Sequence, residues 1–285
     1  MTTSSPSHEN VQLPATRRPR FPRIISATVI AAGLALLKLK AFLLLFVEKV
    51  RLLLVNPFEG FGALQYAIAG GSMVVTIAAY AIKFPLGLVI GFVVITFIHE
   101  TGHALVIRMK GLRAGYMVFI PFIGGAVTLK NQPRTAYDDA LIGLAGPIAG
   151  TLASLVSLQI YKWNDNPLYL WVAFVGFFLN LFNLLPIGML DGGRISAAVT
   201  KWMWVFGGGF LLYHVVKRPN PFMIVVLVLA MLQVWASIQR EKDDKAFYDV
   251  TLGQRAFIAI AYFALVGFLG HQFYMALKRL ALLEG

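Results

Sequence analysis

Residues 84–107 read Phe84-Pro85-Leu86-Gly87-Leu88-Val89-Ile90-Gly91-Phe92-Val93-Val94-Ile95-Thr96-Phe97-Ile98-His99-Glu100-Thr101-Gly102-His103-Ala104-Leu105-Val106-Ile107, an apolar run whose ionisable side chains are confined to one five-residue stretch. A helix of about 20 apolar residues is long enough to cross a bilayer. Histidines four apart then project from one face, so both imidazoles can reach a single Zn²⁺, and the glutamate between them is placed to act on a water. An ionisable residue at the bilayer centre costs roughly 2.5–3.5 kcal/mol, so three of them within five residues call for a compensating role. The flanks Phe92–Ile98 and Ala104–Ile107 give the motif no solvated face. Metal-assisted hydrolysis inside a membrane supplies the role.

The rest of the chain agrees with that setting. Of 285 residues 58% are hydrophobic and 13% charged, with mean hydropathy +0.73, whereas globular proteins carry about 25% charged residues. The net charge of +12 is scattered between apolar segments instead of gathering on a polar domain. That pattern excludes a nucleic-acid surface and fits topology signals and contacts with anionic lipid. The chain has no cysteine, so a metal has to be held by His, Asp or Glu.

Residues 1–23 are polar, Pro-rich and basic, and are expected to be a disordered cytosolic tail. Residues 24–55 are apolar but carry Lys38, Lys40, Glu48, Lys49 and Arg51 on more than one helical face, which suits an interfacial or partly inserted helix. Clear spans are expected at 62–82, 84–107, 140–161, 168–188 and 251–277, with 203–216 and 221–238 as a hairpin of shorter ones. The fold class is thus an all-α polytopic membrane protein of six to seven transmembrane helices, with a core at 60–200 and C-terminal transmembrane helices at 201–285. The loop Arg108-Met109-Lys110-Gly111-Leu112-Arg113 holds three basic residues and is placed in the cytosol by the positive-inside rule. His103 then lies about 7–8 Å along the helix from Arg108, near the cytosolic side of the membrane. Lys217 and Arg218 fall outside on this count.

Residues 116–129 are too short to span, rich in β-formers and divided by Gly124-Gly125. They are expected to form a re-entrant β-hairpin or loop bordering the active site, since non-helical backbone at membrane depth persists only where it is buried or lines a wet cavity. Gly87-x-x-x-Gly91 and Gly146-x-x-x-Gly150 read as faces for close helix crossing. Asp138 and Asp139 read as a helix start at the interface.

Two imidazoles leave zinc one protein ligand short of a catalytic site. His8 lies in the tail, His214 in a short apolar run and His271 near the end of the last span, and most acids sit in loops or polar stretches. Asp191 stands apart. It follows the 168–188 span, where Pro186 removes a helix hydrogen bond and Gly192-Gly193 permit close approach, and crossings counted from the 108 loop return it to the side of His103.

A membrane-buried H-E-x-x-H followed by Asn183-x-x-Pro186 and Leu190-Asp191-Gly192 resembles the site-2 protease family of intramembrane zinc metalloproteases, over roughly residues 60–200. The resemblance implies that His99, His103 and Asp191 bind one zinc ion, that Glu100 activates water, and that Asn183, with Asn180 beside it, offers polar contacts to substrate or oxyanion. It further implies an endopeptidase acting on transmembrane segments of membrane protein substrates, in the plasma membrane. Two rivals share the motif: a transporter or metal channel with an intramembrane ion path, and a non-catalytic scaffold that binds metal only structurally.

Overall fold

The computed structural model describes residues 63–121, 124–188, 190–200 and 202–284, together with Lys40. The expected tail at 1–23 and interfacial helix at 24–55 lie outside the described residues, Lys40 excepted.

The described part is mostly helical, with one small antiparallel hairpin. The helices are α1 (Ala63–Ala81), α2 (Leu86–Met109), α3 (Ala136–Asn164), α4 (Pro167–Asn183), α5 (Asp191–Val199), α6 (Trp202–Lys217), α7 (Pro221–Asp243) and α8 (Leu252–Glu284). Strands β1 (Ala114–Ile120) and β2 (Gly124–Leu129) lie between α2 and α3. The 116–129 expectation is thereby met as a hairpin.

Local sequence accounts for most helix ends. Helix α2 stops at Lys110 in a Schellman motif: Gly111 has φ +72°, its N–H donates to Arg108 O at 2.9 Å, and Leu112 N–H donates to Ile107 O at 3.0 Å. Only a residue without Cβ takes that left-handed position at little cost. Thr135 caps α3 by accepting from Asp138 N–H at 3.1 Å, and Asn166 caps α4 by accepting from Leu168 N–H at 3.0 Å with Pro167 at the first position. Helix α8 opens on a capping box, Thr251 and Gln254 exchanging side-chain to backbone bonds at 3.1 and 3.3 Å.

One expected span is shorter than the sequence suggests. Helix α4 ends at Asn183, not at 188, because Pro186 cannot continue it, and a turn bonded Ile187 N–H to Leu185 O and Leu190 N–H to Ile187 O leads into α5. Asp191 accordingly opens the nine-residue helix α5.

Helix α3 is the hub, packed by α2, α4, α5 and α8. Its core joins Ala140 and Leu144 to Leu170, Ala173 and Phe177 of α4, Ile195 and Ala198 of α5, and Ile258 and Leu269 of α8. Large apolar side chains such as Ile82, Trp163, Phe206 and Val216 face outward, as a lipid-facing surface requires. Among the described residues three helices, α2, α3 and α8, are long and apolar enough to cross a membrane.

Candidate metal centre

Helix geometry brings His99 and His103 together from one face of α2, with Nε2 atoms 3.1 Å apart. The start of α5 carries Asp191 to them: Oδ2 lies 3.2 Å from His99 Nε2 and Oδ1 lies 3.1 Å from His103 Nε2. All three side chains are buried. Of the described residues, these form the one group of three or more His or acidic residues positioned to share a metal ion.

The outer nitrogens of the imidazoles are already committed. His99 Nδ1–H donates to Asn180 Oδ1 at 2.8 Å, and His103 Nδ1–H donates to Ile142 O at 2.7 Å. Such partners fix the tautomer, so each Nε2 turns a lone pair inward. With both imidazoles neutral, two lone pairs and a carboxylate meet within hydrogen-bonding distance, an arrangement of mutual repulsion. Burying a carboxylate alone costs several kcal/mol even after relaxation, and Asp191 Oδ2 has no hydrogen-bond partner. A divalent cation reverses the sign of every one of these interactions. The donor set, two nitrogens and one carboxylate, is one that catalytic zinc takes with a further position open.

Gly146 on α3 provides the space. A Cβ there would run into His103 Nε2 and His99 Nε2, and a Cβ at Gly150 would run into the Asn180 amide. The sequence reads these two glycines as a helix-crossing face. In the fold they admit the imidazoles of His99 and His103 and the Asn180 amide that fixes His99.

Glu100 is buried beside the hairpin. A Cβ on Gly125 would lie 2.7 Å from Glu100 Cγ and 2.8 Å from Oε1, so β2 backbone rests directly on this side chain, and the Val127 amide faces its carboxylate. The hairpin's two edges differ. Phe119 N–H donates to Ser72 Oγ at 3.1 Å and Phe119 O accepts from Thr76 Oγ1 at 3.3 Å, so hydroxyls of α1 cover the outer edge of β1. Phe119 pairs with Gly125. Because the main-chain groups of Phe119 point away from β2, this is a non-hydrogen-bonded pair, and those of Gly125 and, two residues on, Val127 point away from β1. That edge turns toward Glu100.

The model of peptidase family M50 matches residues 87–164 and 158–206, which contain α2, the hairpin, α3, α4 and α5. Residues 87–206 are thus similar to peptidase family M50, the site-2 protease family. "Zinc metalloprotease MJ0392" of Methanocaldococcus jannaschii is 30% identical over 107 residues, covering 36% of this chain and 31% of that protein. "Probable zinc metalloprotease EGY2, chloroplastic" of Oryza sativa subsp. indica is 29% identical over 147 residues, covering 36% of this chain and 27% of that protein. The chain thus spans less than a third of the length of these curated relatives.

Within the M50 segment several partners are not evident from the sequence. Asn180, grouped there with Asn183 as a substrate contact, is fully buried: Oδ1 accepts from His99 and Nδ2 donates to Gly176 O at 2.7 Å. That geometry fixes the His99 imidazole, and full burial sets the amide apart from the exposed surface. Asn183 is only part-buried and donates to Leu179 O at 3.1 Å, one turn back. Asp139 receives both Arg194 Nε and Nη2, at 2.9 and 2.6 Å, tying α5 to α3 three residues after Asp191. Asp138 pairs with Lys110 at 2.6 Å. The two acids do open a helix, as expected, and each also grips a neighbouring element. Trp204 Nε1–H donates to Gly193 O at 3.0 Å and holds α5 from the side of α6.

Proposed function

We propose that the chain is an intramembrane zinc endopeptidase that hydrolyses peptide bonds in transmembrane segments of other membrane proteins. The observation that carries this reading is the buried convergence of His99 Nε2, His103 Nε2 and the Asp191 carboxylate, whose Oδ2 has no hydrogen-bond partner, with Glu100 one residue from His99. His99, His103 and Asp191 would hold one zinc ion. When bound, zinc supplies a Lewis acid and makes water a competent nucleophile near neutral pH. Glu100 takes the proton of the attacking water and returns it to the leaving amine. Asn183 keeps a second amide N–H beyond the one given to Leu179, and offers it to the substrate backbone or the developing oxyanion.

A transmembrane helix hides its carbonyls in its own hydrogen bonds, so the bond to be cut has to be presented extended. The outer edge of β2 suits strand addition at Gly125 and Val127, beside Glu100, and the cover of α1 over β1 directs an incoming strand to that edge. On this reading six to seven spans lie in the plasma membrane, and the basic loop at 108–113 supports a site toward the cytosol. An ion path would need ionisable groups at successive depths, whereas the buried His and acidic residues among those described, His99, Glu100, His103 and Asp191, form one cluster. A structural metal site has no use for Glu100.

The test is Glu100→Gln in the purified full chain with a transmembrane peptide substrate. The variant keeps one zinc per chain and loses about 10²–10⁴-fold in cleavage rate. Cleavage at the parental rate refutes the assignment. Membrane proteomes of cells carrying either form then identify the substrate by the fragment that disappears.

A further inference from the structure

Helix α8 lies beyond the residues matched to family M50. Two of its side chains nevertheless reach the segment that carries Asp191. Tyr262 Oη donates to Leu184 O at 2.7 Å, and Arg255 Nη1 donates to Val199 O. Both acceptors are carbonyls at helix C-termini, Leu184 at the end of α4 and Val199 at the end of α5, which have no partner inside their own helices. The guanidinium also complements the negative end of the α5 dipole. Arg255 and Tyr262 are seven residues apart, almost two turns, so they share one face of α8 and lie about 10 Å apart along it. Asp191 sits between the two anchor points.

The helix that bears the anchors is itself fixed. Ile258, Leu269, Ala276 and Leu280 are buried in the core, and the Phe273 ring stacks on Phe174 of α4 with centroids 4.9 Å apart. We infer that α8 is a tether for the third metal ligand: Tyr262 and Arg255 are positioning residues that hold the 184–199 segment so that the Asp191 carboxylate meets His99 and His103. Residues 184–188 and Leu190 lie outside regular structure, and α5 is only nine residues long. Local structure alone gives that segment few bonds to keep Asp191 in place. Without the tether, the Asp139–Arg194 pair, the Trp204–Gly193 bond and the buried Ile195 and Ala198 still hold α5, but the two ends of the 184–199 segment lose their anchors, Asp191 is set less closely on the imidazoles, and metal affinity falls.

The inference rests on the metal-centre reading, and the experiment separates the two. Tyr262→Phe, Arg255→Gln, Arg255→Lys and the Tyr262→Phe/Arg255→Gln double variant are purified as full chains alongside Asp191→Ala. Three quantities are measured: zinc affinity by chelator competition, the visible absorption of cobalt(II) bound in place of zinc, and the thermal midpoint of the metal-free protein. The double variant weakens zinc by about 10–100-fold and shifts the cobalt bands, Tyr262→Phe moves both in the same direction, and Arg255→Lys restores most of the Arg255→Gln loss by keeping a cationic donor. A purely packing role would lower the midpoint and leave the cobalt spectrum alone. Parental zinc affinity and spectrum in Tyr262→Phe and in the double variant, with Asp191→Ala stripped of metal, overturn the tether alone. Parental affinity in Asp191→Ala overturns the metal-centre reading and the tether with it. Should the double variant fail to fold, Tyr262→Phe, which removes one hydroxyl, decides.

Discussion

His99 is held by a fully buried amide, Oδ1 accepting from the imidazole and Nδ2 donating to Gly176 O. Partners of this kind set ligand orientation, and losing one typically costs about 10–100-fold in metal affinity. Asn180→Ala is therefore expected to weaken zinc by that factor in chelator competition. Asn183→Ala leaves zinc affinity unchanged and slows cleavage by about 10²–10³-fold, the effect of losing one oxyanion donor. Initial rates and zinc titrations on the same preparations check both. Parental affinity in Asn180→Ala, or parental turnover per folded molecule in Asn183→Ala, refutes the corresponding role. In the sequence both asparagines are candidates for one polar role through the family resemblance, Asn183 also because an amide in the apolar run Leu181–Leu185 needs a partner. Asn180 finds His99 on α2, far along the chain, whereas Asn183 donates to Leu179 O one turn back in its own helix.

The hairpin acts as one element on Glu100, through backbone and not through side chains. Gly125 is the contact, and the smallest intrusion there meets the carboxylate arm at 2.7 Å. Gly125→Val is expected to retain zinc at parental stoichiometry and to abolish cleavage, while Ala126→Val, at an exposed position on the other face of the strand, stays active. Efficient cleavage by Gly125→Val would show that β2 is not the substrate edge. The hairpin itself is legible in its β-branched and aromatic residues and its Gly124-Gly125 break. Its distinction of edges is not, since it depends on Ser72 and Thr76 of α1 reaching Phe119. Helix α5 is illegible for a related reason: Asp191-Gly192-Gly193 is a poor helix start by propensity. The Asp139–Arg194 pair and the Trp204 bond to Gly193 O hold it from two other helices.

At the scale of the molecule the proposed topology is open to a direct measurement, because the chain has no cysteine and any introduced thiol is unique. Arg113 and Lys162 are exposed at opposite ends of the path from α2 to α3. Arg113→Cys is expected to react with an impermeant maleimide only from the cytosolic side, and Lys162→Cys only from the other. The reverse pattern would invert the protein and move the site to the far leaflet. The sequence by itself determined the membrane setting and the pair His99 and His103 with Glu100 between them, because apolar length and i, i+4 spacing are local properties that a helix converts directly into geometry. It also singled out Asp191, through the pattern around it. The tertiary structure alone decided how that carboxylate is held and how the site is kept open. Gly146 clears the ligands, Asn180 orients His99, Arg194 meets Asp139, and Tyr262 and Arg255 reach across from α8. Each of these is a meeting of groups distant in sequence, set by which helix faces pack together, and no periodicity along a single helix records it.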